Sequence, residues 1–345
     1  MRFDIEEDTG ARISGWVAPD HPSAVPALVV DLGGRQRVRV EATELRPDLK
    51  ARGLHATGLC GFVIDRAACN DLRSGLPLTI FEERSNVLVY RRRPADCIPV
   101  RLLHLETQSV PVYPVHRELS PFFQMSYSSA ETIGEDTLAG ILGIGFTDST
   151  LVSGALGYRR YEPHLRGSDM RRAILLCDPY RELAARILRY RDLAAGGSGA
   201  SAGWRALGQE RLVRAFEGVN PARPRSLGRA LTRLADEDFL ALANPTTRLL
   251  SVRGPGEFLD ERHAEAALDS LASFDVIGFD DDLFSYLDAL QALTGRRDLL
   301  RQRHPEPEDL VVAAHALSQT PSAEDLVRLD SLVMRLARDA LARTV

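Results

Sequence analysis

Residues 170–190 have the sequence MRRAILLCDPYRELAARILRY, and this stretch decides the fold of the second part of the chain. Residues 173–176 form an apolar run of strand length without polar alternation, which is typical of a strand buried on both faces of a parallel sheet. Pro179 suits the first position of a helix, and Asp178 before it can cap that helix. The stretch predicts a strand, a tight turn and a helix, a unit that is common in α/β proteins and that can also bind an anion at the helix N-terminus.

Length and charge limit the classes of function. The chain has 345 residues, of which 44% are hydrophobic, so it is long enough for two domains with their own cores. The net charge is −5, which predicts no general attraction to nucleic acid or to an anionic membrane. Lys50 is the only lysine, so no lysine chemistry is available after residue 50.

Targeting and metal signals are absent from the sequence pattern. The N-terminal residues are acidic and lack the apolar region of a signal peptide, and no apolar run reaches the length of a transmembrane helix. The cysteines show no metal-binding spacing, which favours reduced thiols. We therefore expect a cytoplasmic protein without a metal site. The cysteines are Cys60, Cys69, Cys97 and Cys177.

The N-terminal part, residues 1–93, has the pattern of an all-β sandwich. Turn signals separate short apolar runs, most clearly at Gly33-Gly34, which predicts antiparallel strands. The charged run at residues 91–94 then predicts a solvated linker. The predicted strands are residues 12–17, 27–32, 36–40, 61–65, 76–80 and 86–90.

The second part, residues 94–345, has an α/β pattern with a parallel sheet. We expect a mostly helical stretch at residues 114–143 with a break near Gly134, and a flexible loop at residues 194–203, which are small and polar. Ser322-Ala-Glu-Asp325 resembles a capping box and predicts the start of the last helix. The predicted strands are residues 100–105, 149–154 and 173–177, and the further predicted helices are residues 204–218, 226–243, 260–273 and 283–293.

Residues 10–92 carry one family resemblance. The pairs Gly15-Trp16 and Gly61-Phe62, with Arg46-Pro-Asp48 between them, resemble a β-sandwich module attached to bacterial glycosyltransferases and related polysaccharide enzymes. The resemblance implies an accessory role facing carbohydrate, with Trp16 stacking on a sugar. The alternative is that Trp16 fills the core of the sandwich.

Five segments of the second part carry another resemblance. Asn244-Pro-Thr-Thr-Arg248 fits a family N-x-x-T-R loop, and Phe274-Asp-Val-Ile-Gly278 fits a family strand that leads to an acidic pair. With residues 100–105, 151–154 and 174–185, in this order, they resemble the carbohydrate sulfotransferase family over roughly residues 99–343. The resemblance implies a three-layer α/β fold with a P-loop-like parallel sheet. It also implies transfer of a sulfuryl group from 3′-phosphoadenosine 5′-phosphosulfate (PAPS) to a sugar hydroxyl.

The chain departs from this family at the residues that carry the chemistry. The family loop P-K-T-G-G-T cradles the donor phosphosulfate, whereas residues 106–111 contain no glycine or lysine, and Thr107 falls at the position of the lysine. Cys177 and Ala185 replace an arginine and a serine that bind the 3′-phosphate. Ala155 replaces the histidine base. Loss of all these groups favours a scaffold without PAPS chemistry, because function depends on the site and not on the fold.

Several residues could replace the lost groups. His164 is a weak candidate for a displaced base, and His104 and His116 lie nearer to the first predicted strand. An exposed arginine run in a lysine-poor protein is the alternative to an anion site. The anion- or nucleotide-binding candidates are Asn244, Thr247, Arg248, Arg159, Arg160 and Arg166, and the candidates for stacking on a sugar or base are Tyr158 and Tyr161.

Two hypotheses of function follow. The first is a non-catalytic pseudo-sulfotransferase of bacterial polysaccharide metabolism that binds glycan or scaffolds polysaccharide-modifying proteins. The second is a divergent transferase that moves a sulfuryl or other activated group from PAPS or a related nucleotide to a sugar hydroxyl. Only the second implies a cofactor.

Overall fold

The computed structural model of the chain describes residues 1–196, 209–254, 256–299 and 303–343. The chain forms antiparallel sheets up to residue 91, and from residue 101 a parallel sheet flanked by helices. This confirms the predicted combination of an antiparallel β part with an α/β part. Most of the predicted loop at residues 194–203, and the start of the helix predicted at residues 204–218, lie outside the described residues.

The N-terminal part contains two four-stranded antiparallel sheets. Its strands are β1 (Arg2–Asp8), β2 (Ile13–Ala18), β3 (Ala27–Asp31), β4 (Arg37–Glu41), β5 (Glu44–Leu45), β6 (Leu59–Ile64), β7 (Thr79–Glu82) and β8 (Leu88–Arg91), with a short helix α1 (Pro47–Ala51) after β5. The sheet orders are β1-β2-β6-β5 and β4-β3-β7-β8. Side chains of both sheets, including Val17, Val30 and Ile80, share one core. The sequence predicts six of these strands. It does not predict β1, which is largely charged, or β5, which has only two residues.

A five-stranded parallel sheet forms the centre of the second part. Its strands are β9 (Arg101–Leu105), β10 (Met125–Tyr127), β11 (Thr150–Gly154), β12 (Arg171–Leu176) and β13 (Val276–Phe279). Their order is β10-β11-β9-β12-β13, and every neighbouring pair is parallel. The first strand along the chain, β9, is therefore central, and later strands lie on both sides of it. Ligands in open parallel sheets bind at the carboxyl ends of strands where the order reverses in this way.

The prediction of a mostly helical stretch at residues 114–143 is wrong in its middle. The chain there contains α2 (Val115–Leu119), then the edge strand β10, then α3 (Glu135–Leu142). Strand β10 has three residues, so it is too short to show a strand period. Its pairing with β11 decides its conformation.

Ten more helices lie in the described residues after β11. They are α4 (Tyr158–Leu165), α5 (Pro179–Ala194), α6 (Glu210–Phe216), α7 (Pro224–Leu231), α8 (Asp236–Leu242), α9 (Pro245–Ser251), α10 (Glu261–Leu271), α11 (Leu283–Thr294), α12 (Glu308–Ser318) and α13 (Pro321–Ala342). The predicted helix at residues 226–243 is two helices. The capping box predicted at Ser322 is wrong, because the N-cap of α13 is Thr320, two residues earlier, and Pro321 lies in the first turn.

The two parts of the chain are joined by polar contacts and a continuous core. The Tyr127 hydroxyl of β10 donates to the Leu88 carbonyl of β8 at 2.9 Å. Arg91 donates to the carbonyls of Ser120 and Phe123 in the second part, and Arg92 makes an ion pair with Asp8 within the N-terminal part. The prediction of a solvated linker at residues 91–94 is therefore wrong for its first two arginines. Their partners lie far away in the sequence, so the local pattern does not reveal them.

Candidate functional site

The carboxyl edge of the parallel sheet is the candidate site. The residues that follow the four longer strands are Glu106, Ala155, Cys177 and Asp280. Asp178 caps α5 by accepting the Arg181 amide at 2.9 Å, and Pro179 occupies the first turn. The predicted turn from strand to helix is confirmed.

The loop after β9, residues 106–111, closes on helix α5. The amide of Ser109 donates to Glu182 Oε2 at 2.7 Å, and its hydroxyl donates to Glu182 Oε1 at 2.6 Å. Glu182 is 2% exposed, and Arg186 Nε donates to it at 2.7 Å. Thr107, also buried, donates its hydroxyl to the Leu175 carbonyl. The Glu182 carboxylate therefore accepts the hydrogen bonds that Ser109 of this loop donates towards α5.

The polar groups of the turn after β12 also find their hydrogen-bond partners within the protein. Cys177 is buried, which raises the pKa of its thiol, and Arg181 Nη1 lies 3.2 Å from its sulfur. Arg181 makes an ion pair with Glu306 and donates to the Val110 carbonyl. The Asp178 amide donates to Asp280, and burial raises the pKa of that carboxyl. Ala185 is buried on α5 and Ala155 is exposed after β11, so neither position supplies a polar side chain.

Asn244 and Thr247 connect helix α9 to helix α13. Asn244 Oδ1 accepts the Leu329 amide at 2.8 Å, and its Nδ2 donates to the Asp325 carbonyl. Asp330, 3% exposed, accepts the amides of Thr246 and Thr247 at the start of α9. The carboxylate of Asp330 already occupies the position where this helix N-terminus would hold an anion. Both candidates are buried in a structural junction.

Arg248 lies in a different environment. Its guanidinium donates to the carbonyls of Glu257 and Leu240, at 3.1 and 3.4 Å, and its Nε is buried without a partner in the described residues. Burial lowers its pKa. Arg248 lines a cavity of about 580 Å³, here called the Arg248 cavity, together with Arg160 and Tyr161. This cavity brings together four positions that the sequence singled out: Arg248, Arg160, Tyr161 and Ala155.

The arginines of the predicted cluster at α4 do not converge on one site, because each has partners on a different helix. Arg159 donates to the Ala266 carbonyl and Ser270 on α10, and Arg160 pairs with Glu135 on α3. Arg166, the C-cap residue of α4, pairs with Glu162 of that helix. The structure does not bring Arg159 and Arg166 into the Arg248 cavity.

Among the aromatic and histidine candidates, Tyr158 lies in the core, apart from Trp16 and His164. Tyr158 is 1% exposed, donates to or accepts from Ser273 at 2.5 Å and packs on Phe274. Trp16 is half-buried and lines a cavity of about 720 Å³ with His164, next to residues 143–146. Those residues precede β11, so His164 lies towards the amino edge of the sheet, opposite the candidate site.

A cavity at the carboxyl end of β9, here called the β9 cavity, has a volume of about 230 Å³. His104, Glu106 and His116 line it together with Gln108 and Tyr113. Burial is the main cause that lowers the pKa of His104 to about 3, and it also lowers the pKa of His116 and raises that of Glu106. The sequence pattern did not single out Gln108 and Tyr113, although their position in the segment after the first strand was a signal for them.

Metal and membrane signals are absent from the part of the chain that the structure describes. No group of three or more potential metal ligands occurs there. No helix there is long and apolar enough to cross a membrane. Comparisons with known proteins find no matching family model, no matching curated protein and no matching solved structure.

Proposed function

We propose that this chain is a sulfotransferase-like protein without PAPS-dependent activity, which binds or scaffolds glycan in bacterial polysaccharide metabolism. The observation that carries the proposal is the closure of the loop at residues 106–111 on Glu182. The resemblance would place the donor phosphosulfate in this loop. A donor there would have to displace a buried carboxylate, or bring further negative charge next to it, and like charges at this distance repel strongly.

Other positions support the same proposal. Asp330 occupies the N-terminus of α9, and the cation nearest to the turn after β12, Arg181, is paired with Glu306. In both places a carboxylate of the protein satisfies the group that would otherwise attract a phosphate. The proposed partners are therefore carbohydrate and polysaccharide-modifying proteins, and the proposal requires no cofactor.

One observation favours the second hypothesis, a divergent transferase. The guanidinium of Arg248 is half-buried beside a cavity of about 580 Å³, and among the described residues it has carbonyl partners and no carboxylate within ion-pair distance. Partial burial disfavours this charge and lowers the pKa of Arg248, and an anionic ligand such as PAPS or a related nucleotide would offset that cost. Under this hypothesis Arg248 and Arg160 hold the donor, and a sulfuryl or other activated group moves to a sugar hydroxyl.

Calorimetric titration of 3′-phosphoadenosine 5′-phosphate into the purified full chain tests the proposal. We expect no binding at millimolar nucleotide. Micromolar binding that is lost in Arg248→Ala, but kept in the exposed Arg166→Ala, would contradict the proposal and support the transferase. The Arg166 variant removes the same charge away from the Arg248 cavity, so it controls for a general effect of net charge.

A further inference from the structure

We propose that the β9 cavity is a binding site for one uncharged, polyhydroxylated ring, such as a single sugar residue. This inference deepens the proposed function, on which it rests, because it names the site and the chemical class of ligand. Four observations carry it: unpartnered polar atoms in the lining, their donor and acceptor types, the volume and the local charge.

The lining residues carry buried polar atoms that the protein leaves without a partner. Among the described residues, His104 Nε2, the Tyr113 hydroxyl, Gln108 Nε2 and His116 Nδ1 are all buried without a hydrogen bond. His104 is 5% exposed and Tyr113 is 3% exposed. An unpaired buried polar group costs about 1–3 kcal/mol in other proteins, so four around one cavity indicate a missing hydrogen-bonding partner.

The hydrogen bonds of Ser153 determine what His104 offers to a ligand. The Ser153 hydroxyl donates its one proton to Glu106 Oε1 at 2.6 Å. The contact of 3.2 Å between Ser153 Oγ and His104 Nδ1 therefore requires that Nδ1 carries the proton. His104 Nε2 is then an acceptor. Since burial keeps this imidazole neutral, it remains an acceptor at neutral pH.

The other lining groups complete a mixed set of donors and acceptors. Gln108 Oε1 accepts the Val112 amide at 2.8 Å, which leaves the Nε2 protons as donors. Tyr113 can donate or accept through its hydroxyl. Glu106 uses Oε1 for Ser153, and its Oε2 has no protein donor in the part of the chain that the structure describes. A ligand must supply hydroxyl donors to His104 and Glu106 and an acceptor to Gln108, and adjacent hydroxyls on one ring provide both.

The shape of the β9 cavity suits a single ring. Its volume is about 230 Å³. A dry cavity of about 150 Å³ holds benzene, so this cavity has room for a six-membered ring with substituents. The apolar part of the lining suits the carbon face of such a ring. It consists of Leu105, Pro111, Pro114, Val115 and Leu175.

The charge of the lining disfavours an anion. Glu106 contributes a carboxylate, and both histidines have lowered pKa values because they are desolvated, so they add no positive charge at neutral pH. The guanidinium at the cavity, Arg117, is exposed and hydrogen-bonds to His304. An anionic ligand would meet the Glu106 carboxylate without a buried cation to offset the repulsion.

The test uses saturation-transfer NMR on the full chain with free glucose, galactose, mannose and N-acetylglucosamine, and with phenol as an apolar ring of similar size. We expect at least one sugar to bind with an affinity in the millimolar range, because one ring makes few contacts. Tyr113→Phe should weaken this binding by about tenfold, the value of one neutral hydrogen bond to a desolvated ligand. Its folding stability should stay equal or rise, since the hydroxyl has no protein partner.

Tyr286→Phe is the matched control. The Tyr286 hydroxyl is also buried without a partner in the described residues, and its ring lies 6.5 Å from that of His104, but Tyr286 does not line the β9 cavity. We expect sugar binding to be unchanged in this variant. Equal weakening in both tyrosine variants would overturn the proposal, as would binding of phenol without any sugar, or no binding of any probe.

The nucleotide titration separates this inference from the proposed function. Absence of both sugar and nucleotide binding would overturn the β9 cavity as a site while leaving a non-catalytic protein. Sugar binding that depends on Tyr113, together with micromolar nucleotide binding, would keep the β9 cavity and overturn the proposed lack of donor chemistry.

Discussion

The acid sensitivity of folding is expected to depend on His104. This residue lies in the central strand β9 and is buried between Ser153 of β11 and Tyr286 of α11. Burial lowers its pKa from the ordinary 6.5 to about 3. The folded state therefore holds a neutral imidazole over a pH range in which the unfolded chain binds a proton.

The sign and size of the effect follow from these two pKa values. Between them the unfolded state binds more protons, so the free energy of unfolding falls as the pH falls. Acidification from about pH 7 to about pH 5 protonates His104 in the unfolded chain, and this should lower the free energy of unfolding by about 2 kcal/mol. The loss should stop near pH 3, where the folded imidazole also becomes charged.

Other buried titratable groups also change the pH dependence of stability, and wild type and a variant at position 104 share their contributions. Glu106, Asp280 and Asp330 have pKa values that burial raises, so their protonation in the folded state gains stability on acidification and opposes the effect of His104. His116, whose pKa burial lowers, acts in the same direction as His104. A difference between wild type and a variant at position 104 removes these shared contributions.

Urea unfolding followed by circular dichroism, at several pH values, measures the effect. His104→Asn can still donate from an amide towards Ser153, and it removes the titrating group. We expect wild type to lose about 2 kcal/mol more than this variant between about pH 7 and pH 5. The exposed His164→Asn should retain the wild-type pH dependence. A constant difference between wild type and His104→Asn over this range would refute a buried, neutral His104.

Two predictions concern the close contacts that hold the α/β part together. Asp330→Ala leaves the amides of Thr246 and Thr247 unpaired at the start of α9, so we expect the free energy of unfolding in urea to fall by about 2–4 kcal/mol. The control is Asp339→Ala, an exposed position on α13, which should change this free energy by less than about 0.5 kcal/mol. Gly278→Ala would place a methyl group 2.4 Å from the Tyr286 ring, so we expect a loss of about 1–3 kcal/mol. Gly145→Ala, where an added methyl group meets nothing within 4 Å, is its control, and an equal loss in both glycine variants would contradict the packing argument.

Local chemistry let the sequence predict much of the architecture. Apolar runs between turn residues predicted six of the eight N-terminal strands, because strand period and turn preference act over a few residues. The turn at Asp178-Pro179 was predicted for the same reason, since a cap and its helix are adjacent in sequence. Strand β10 was missed because its conformation depends on pairing with β11 and not on its own three residues.

The partners of the site residues were decided only by the tertiary structure. The sequence by itself determined that residues 106–111 lack a glycine and a lysine, and that Cys177, Ala185 and Ala155 carry no phosphate-binding or basic group. It could not determine that Ser109 meets Glu182, or that Asp330 caps α9, because 73 and 83 residues separate the members of these contacts. Such contacts depend on how strands and helices pack, so the folded chain alone shows which charges are satisfied and which polar groups remain free for a ligand.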